Sequence, residues 1–301
     1  MRGVLDIRVE ATGGAEDSGY HSGVHGGAVE EPMQSLVQLL SQMYDPSTGR
    51  VKIPRFYDAV QPPDYAELQR VKAAADSVKT GWVQRASAGG TSDPNELLRK
   101  SWLEPSMSLL GIDASLKGKC PHAGGAMRVI PSTVCAEISL RLVPQQGPKE
   151  IFTLIRDYLQ ESFKKASSAS KLAVQCLRQG RSWRADLNAP RTRALYGAAH
   201  AAIKEVWGVE PLYVREGGSM PAIPFLADAF RRLPGPLGQC QGSDEVAVCQ
   251  LPFGQASDNA HLPNERLGIR QVEKGVDVLA CTLESLAARL AESTSRPVVA
   301  L

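Results

Sequence analysis

The chain has 301 residues, 43% hydrophobic and 22% charged, a globular composition with room for about two domains. Its 34 Lys and Arg against 32 Asp and Glu leave a net charge of +2, and no basic run is long enough to track a phosphate backbone, so nucleic acid is not an expected partner. No segment reaches the roughly 18 consecutive apolar residues of a membrane span, and the six cysteines lack C-x-x-C spacing; a soluble, cytoplasmic chain with free thiols is expected, not a structural zinc or a disulfide framework.

Leu5, Ile7 and Val9 alternate with Asp6, Arg8 and Glu10, the period of a strand with one buried and one wet face. A glycine-rich turn follows, Gly19-Tyr20-His21-Ser22-Gly23-Val24-His25-Gly26-Gly27, holding two of the five histidines. Met33, Leu36, Val37, Leu40 and Met43 recur at helical spacing over 32–44. Residues 45–104 are polar and rich in Pro, Asp and Ser, and read as a long excursion with one helix over 65–78. A strand is predicted over 106–115 and a clearer one over 134–142, where Val134, Ala136, Ile138 and Leu140 share one face and Cys135, Glu137, Ser139 and Arg141 the other. Pro148 opens a helix striped by Ile151, Leu154, Ile155, Tyr158, Leu159 and Phe163, and 172–177 reads as a strand. The order β-α-β-β-α-β fits a ferredoxin-like layer of helices on an antiparallel sheet, bounding a first domain at residues 1–182.

Residues 183–301 alternate differently. A helix over 191–206, a short strand over 211–214, the turn Arg215-Glu216-Gly217-Gly218-Ser219 and a helix over 225–230 suggest an α/β sandwich. A strand over 246–251 leads to Ser257-Asp258-Asn259-Ala260-His261, and Val272, Val276, Leu279, Leu283, Leu286 and Leu290 then predict a long helix with a buried stripe.

Several residues could carry chemistry. Gly217-Gly218-Ser219, between a strand and a helix, allows close backbone approach and unpaired N–H groups, so it suits either an anion such as a carboxylate or a plain turn with Ser219 as cap. His261 sits at the carboxyl end of a predicted strand, where α/β sheets place ligands, but Asp258 and Glu265 complete no ligand spacing with it. His122, in a Pro/Gly loop, and His200, late in an amphipathic helix, read as structural. Cys240 and Cys249 flank a short loop and form the one cysteine pair worth checking.

Taken together, three stretches resemble the carnosinase and cytosolic nonspecific dipeptidase group of the M20 metallopeptidases, which also include aminoacylases and deacetylases. They are His21-Ser22-Gly23-Val24-His25-Gly26-Gly27, then Ser139-Leu140-Arg141-Leu142-Val143-Pro144, then Arg215-Glu216-Gly217-Gly218-Ser219 with His261-Leu262-Pro263-Asn264-Glu265. The resemblance runs over nearly the whole chain, from Arg2-Gly3 to the last helix. It implies a ferredoxin-like lid and dimerisation domain, then the C-terminal part of an α/β peptidase domain, in a hydrolase that cleaves dipeptides with water activated by two zinc or manganese ions. It also implies a homodimer in which His21 reaches the partner's site to stabilise the oxyanion, with His25 a bystander. Arg141 would clamp the substrate's carboxylate, Gly217, Gly218 and Ser219 would add a second contact to it, and His261 would be the last metal ligand.

The chain departs from that pattern. The His-x-Asp motif, bridging aspartate, Glu-Glu pair and further aspartate of the family lie upstream of the segment matched by Arg2, and none is present. The expectation is therefore an N-terminally incomplete dipeptidase, whether a truncated gene model, a fragment or a short isoform, which is inactive and holds no metal tightly by itself. Arg128 stands where these dipeptidases usually carry a small hydroxyl residue, which leaves substrate preference open. An aminoacylase or deacylase on the same scaffold, and a non-catalytic dimerisation protein, are the alternatives.

Overall fold

A computed structural model of the chain describes residues 1–14, 19–77, 93–115, 128–166, 170–232, 246–255 and 257–294. It divides into two compact units: Met1–Pro63, Leu98–Trp183 and Arg215–Pro221 form the first, and Asp64–Leu97, Arg184–Val214 and Ala222–Leu301 the second.

The first unit is built on a four-stranded antiparallel sheet. In chain order its strands are β1 (Gly3–Thr12), β5 (Ser106–Ser115), β7 (Thr133–Leu142) and β8 (Lys171–Gly180), and in space they run β5-β7-β1-β8. Placing the first strand between the third and fourth of the four, with helices α2 (Pro32–Ser41) and α5 (Pro148–Lys165) in the two crossovers, is the ferredoxin-like arrangement. Both helices begin on a proline, whose missing N–H belongs to the unbonded first turn of a helix in any case, and α5 ends on Lys164 and Lys165, which suit the negative end of its dipole.

Strict alternation decides which face is covered. Leu5, Ile7, Val9 and Ala11 of β1 and Val134, Ala136, Ile138, Leu140 and Leu142 of β7 are buried against Leu36 and Leu39 of α2 and Ile151, Ile155, Leu159 and Phe163 of α5. Each large side chain fully removed from water contributes about 1.5–3 kcal/mol, so a one-residue slip of β7 would be prohibitive. The slip would also bury Glu137 and Arg141, which now lie on the opposite, half-buried face.

Two short ladders complete this unit: β2 (Tyr20–His21) with β6 (Val129–Ile130), and the hairpin β3 (Tyr44–Asp45) with β4 (Arg50–Val51). The latter, together with buried Ile53 and Phe56, gives structure to the start of the polar excursion. Gln146 ties it down, since its buried amide donates to the Phe56 carbonyl and accepts from the Val143 amide.

The second unit is helical. It holds α3 (Tyr65–Ser77), α6 (Pro190–Trp207), α7 (Ala222–Arg231) and α8 (Ile269–Thr294), and α4 (Pro94–Leu103) is shared between the units. Asp64 caps α3 by accepting from the Glu67 amide at 2.7 Å. Helix α6 starts on Pro190 and ends at Gly208 with φ 70°, the left-handed cap that glycine adopts without strain. It packs along α8 through buried Ala198, Ala199 and Ala202.

Two expectations are corrected here. Residues 211–214 and 246–251 form no strand, since no ladder partner reaches them among the described residues, and a strand is defined by its neighbour. In α8 the apolar stripe Val272, Val276, Leu279 and Leu283 is exposed, while the buried line is Gly275, Val278 and Thr282. Spacing revealed the helix and its apolar side. Small residues decide the packed side, because the alanine face of α6 admits a close neighbour.

Candidate functional site

Arg141, near the end of β7, stands opposite Val4 of β1 and Ser106 of β5 on the half-buried face of the sheet. Its Nη1 donates to Ser219 Oγ at 2.7 Å, and the Ser219 hydroxyl donates in turn to the Gly3 carbonyl at 3.1 Å. Ser219 therefore ties the ends of the two central strands, β7 and β1, instead of capping α7, which starts three residues later at Ala222. Two segments separated by 78 residues are brought into direct contact, both inside the first unit.

Gly217 is required by the closeness of that approach. A Cβ there would lie 2.6 Å from the Ser101 carbonyl oxygen and 3.4 Å from an Arg2 nitrogen. Arg2 Nε donates to the Gly217 carbonyl at 2.9 Å, and its Nη1 reaches the Glu104 carbonyl at 3.2 Å and Ser106 Oγ at 3.1 Å. The Gly218 amide donates to the Glu216 carboxylate at 3.0 Å. Burial first, and then the neighbouring Arg141 charge, lower the Arg2 pKa to about 10 against the opposing pull of Glu216. Two guanidinium groups thus share one partly desolvated corner, an environment that favours an anion.

His21 is exposed at the start of the short helix α1 (Ser22–His25), and its Nδ1 accepts from the Gly23 amide at 3.1 Å. In the neutral ring this leaves the proton on Nε2. The turn is pinned by Ser22, whose amide and hydroxyl both donate to the Arg128 carbonyl at 2.9 Å. His25 packs against the Tyr20 ring at 4.9 Å between centroids, which accounts for it locally.

His261 belongs to the second unit. It is exposed in a turn with φ 67°, next to a loop in which Asp258 accepts from the Gln255 amide at 2.7 Å. Among the described residues no three His, Cys, Asp or Glu side chains are grouped to hold a metal ion. The described residues by themselves therefore do not make up a two-metal centre, which needs several protein ligands per ion. His200 is held between Glu210, at 3.0 Å, and the Tyr213 hydroxyl, at 3.2 Å, a structural setting on α6. His122 and Cys240 lie outside the described residues.

The structure joins Arg141 to Ser219 of the Gly217-Gly218-Ser219 turn, and adds Arg2, which holds Gly217, and Glu216, which holds Gly218. Neither addition stands out in sequence: Glu216 is one more polar residue of the Arg215-Glu216-Gly217-Gly218-Ser219 turn, and Arg2 simply precedes a strand.

A family model described as the peptidase dimerisation domain matches residues 2–167. The chain is 33% identical over 262 residues to the Cys-Gly metallodipeptidase DUG1 of Candida albicans, covering 86% of this chain and 49% of that protein. Among solved structures, it superposes on the dipeptidase Dug1p of Saccharomyces cerevisiae with a TM-score of 0.75 at 28% identity, over 95% of this chain and 55% of the other. Human carnosine dipeptidase 1 gives a TM-score of 0.75 at 27% identity, again over 95% and 55%. The chain spans about half the length of these relatives. Its sheet order, helix crossovers and matched dimerisation domain together place the chain in the M20 peptidase family, and the relatives it resembles include a carnosine dipeptidase and Cys-Gly metallodipeptidases.

Proposed function

We propose that the chain is part of a metal-dependent dipeptidase, in which it grips the substrate's terminal carboxylate and supplies a histidine across a homodimer. Cleavage of a dipeptide's peptide bond is the reaction class, as in the Cys-Gly metallodipeptidase and carnosine dipeptidase relatives.

The observation that carries this reading is the 2.7 Å contact between Arg141 and Ser219. A guanidinium offers a planar fork of donors matched to a carboxylate, and a hydroxyl fixed beside it, its own proton given to the Gly3 carbonyl, orients the fork. Gly217, Gly218 and Ser219 are assigned the second contact to the same carboxylate, in the turn that holds Ser219 beside Arg141. The His21 tautomer supports its role: a ring whose Nδ1 accepts from Gly23 presents Nε2–H as a donor, which an oxyanion in the partner's site requires.

His261 is assigned as one ligand of the zinc or manganese site, with the rest supplied by groups outside these 301 residues. One imidazole does not make such a site, so the chain alone is expected to hold neither ion tightly and to be inactive. A cytoplasmic enzyme suits the free thiols.

A titration of the isotopically labelled chain tests the carboxylate grip. Glycylglycine should shift the Arg141 Nε–H and Ser219 amide resonances, and glycylglycinamide, which lacks the carboxylate, should bind at least about tenfold more weakly. Arg141→Met should erase that difference. Equal binding of both probes by the unmodified chain would refute the reading.

A further inference from the structure

We propose that Arg2 is the positioning residue of the clamp: it fixes the turn that presents Ser219 to Arg141, and it sets the local charge that favours an anionic end. This inference rests on the carboxylate reading above and adds a residue to it.

Residues 2 and 3 hold the turn at alternate positions. The Arg2 side chain takes the Gly217 carbonyl at 2.9 Å, and the Gly3 carbonyl takes the Ser219 hydroxyl at 3.1 Å. The other arm of the Arg2 fork is anchored at the end of α4 and the start of β5, on the Glu104 carbonyl and on Ser106, the residue paired with Arg141 in the ladder. One planar group therefore spans the turn, the helix end and the strand edge around Arg141. A lysine ammonium carries the same charge but cannot hold three partners in that fixed plane.

The glycines show how little slack the arrangement has. A Cβ on Gly3 would meet the Gly180 carbonyl oxygen at 2.7 Å and the Ser182 amide nitrogen at 2.8 Å, and a Cβ on Gly217 would meet the Ser101 carbonyl oxygen at 2.6 Å. Both strands of the grip are pressed against backbone, so the turn cannot drift without losing the contacts that Arg2 makes. The charge has a separate effect. With Arg2 beside Arg141 in a partly buried corner, and Glu216 the one acid acting on Arg2 there, the two guanidinium charges outweigh the single carboxylate, which favours a charged over a neutral ligand end.

The test uses the full chain and the same probes, glycylglycine and glycylglycinamide, with Arg2→Met, Arg2→Lys, Ser106→Ala and Arg141→Met. The expected result is at least about a tenfold loss of glycylglycine affinity in Arg2→Met and an intermediate loss in Arg2→Lys, where charge survives without the fork. Ser106→Ala, which removes one acceptor and leaves the backbone ladder intact, should give a smaller loss in the same direction. In each case the Gly217 to Ser219 amide resonances should move while the β1 and β7 amides keep their exchange protection. Wild-type affinity in both Arg2 variants, with binding lost in Arg141→Met, would overturn the positioning role and leave the clamp standing. No preference for glycylglycine in the unmodified chain would overturn both. If Arg2→Met fails to fold, the Arg2→Lys and Ser106→Ala series decides, and unchanged affinity there rejects the proposal.

Discussion

Gly217 sits where a methyl group has no room, because the Ser101 carbonyl oxygen would lie 2.6 Å from it and backbone cannot swing aside as a side chain can. Gly217→Ala is therefore expected to displace the turn and lower glycylglycine affinity about tenfold or more, at a stability cost of about 1–3 kcal/mol. Calorimetric titration together with thermal unfolding would separate the two effects. A second residue-scale prediction concerns Cys249, whose thiol is pushed up to about 11 by burial. At pH 8 its thiolate fraction is about a hundredfold below that of an ordinary cysteine, so alkylation followed by mass spectrometry should find it slow and accelerating toward pH 11. Fast labelling at pH 8 would show that the site is open to water.

Among the elements, β7 was the most legible in sequence. Its period of two placed Arg141 on the wet face before any partner was known, and the burial pattern follows that alternation residue by residue. Leu140→Ala, which empties a fully buried position on the other face, should cost about 2–5 kcal/mol in chemical denaturation. The strands expected at 211–214 and 246–251 do not form, since local sequence can mark a segment that could be a strand and says nothing of whether a neighbour is present to pair with it. The stripe of α8 was misassigned for the related reason that apolar character marks a face available for burial, whereas Gly275 and Thr282 fill the face that is buried. The Arg141–Ser219 contact was half legible: Arg141 and the glycine turn stand out, but the bonds of Arg2 arise only when the fold brings residues 2, 104, 106 and 217 together. The β3–β4 hairpin offers a test by pH. Bonds from the Ser47 and Thr48 hydroxyls and then the Ser47 amide lower the Asp45 carboxyl to about 2. A carboxylate depressed in the folded state stabilises above its unfolded value, near 4, and that contribution is lost as pH falls toward 2. Asp45→Asn should accordingly lower the melting temperature at pH 6 and match the unmodified chain near pH 2.

The whole molecule combines a first unit with a ferredoxin-like core and a second, helical unit that bears His261. On the proposed reading, in which His261 is one ligand of a site completed by other groups, the chain supplied with Mn²⁺ or Zn²⁺ should release no free amino acids from dipeptides above a metal-only blank by chromatography. The matched dimerisation domain leads to the expectation of a dimer in sedimentation velocity, and a monomer would remove the route by which His21 serves a partner's site. The central claim is that Arg141 and Ser219 together receive a carboxylate. A crystal structure of the chain with glycylglycine tests this most directly. The terminal carboxylate should lie within about 2.7–2.9 Å of the Arg141 guanidinium and beside the Ser219 hydroxyl, and a dipeptide bound elsewhere, or held at this corner by its amino end, would contradict the account.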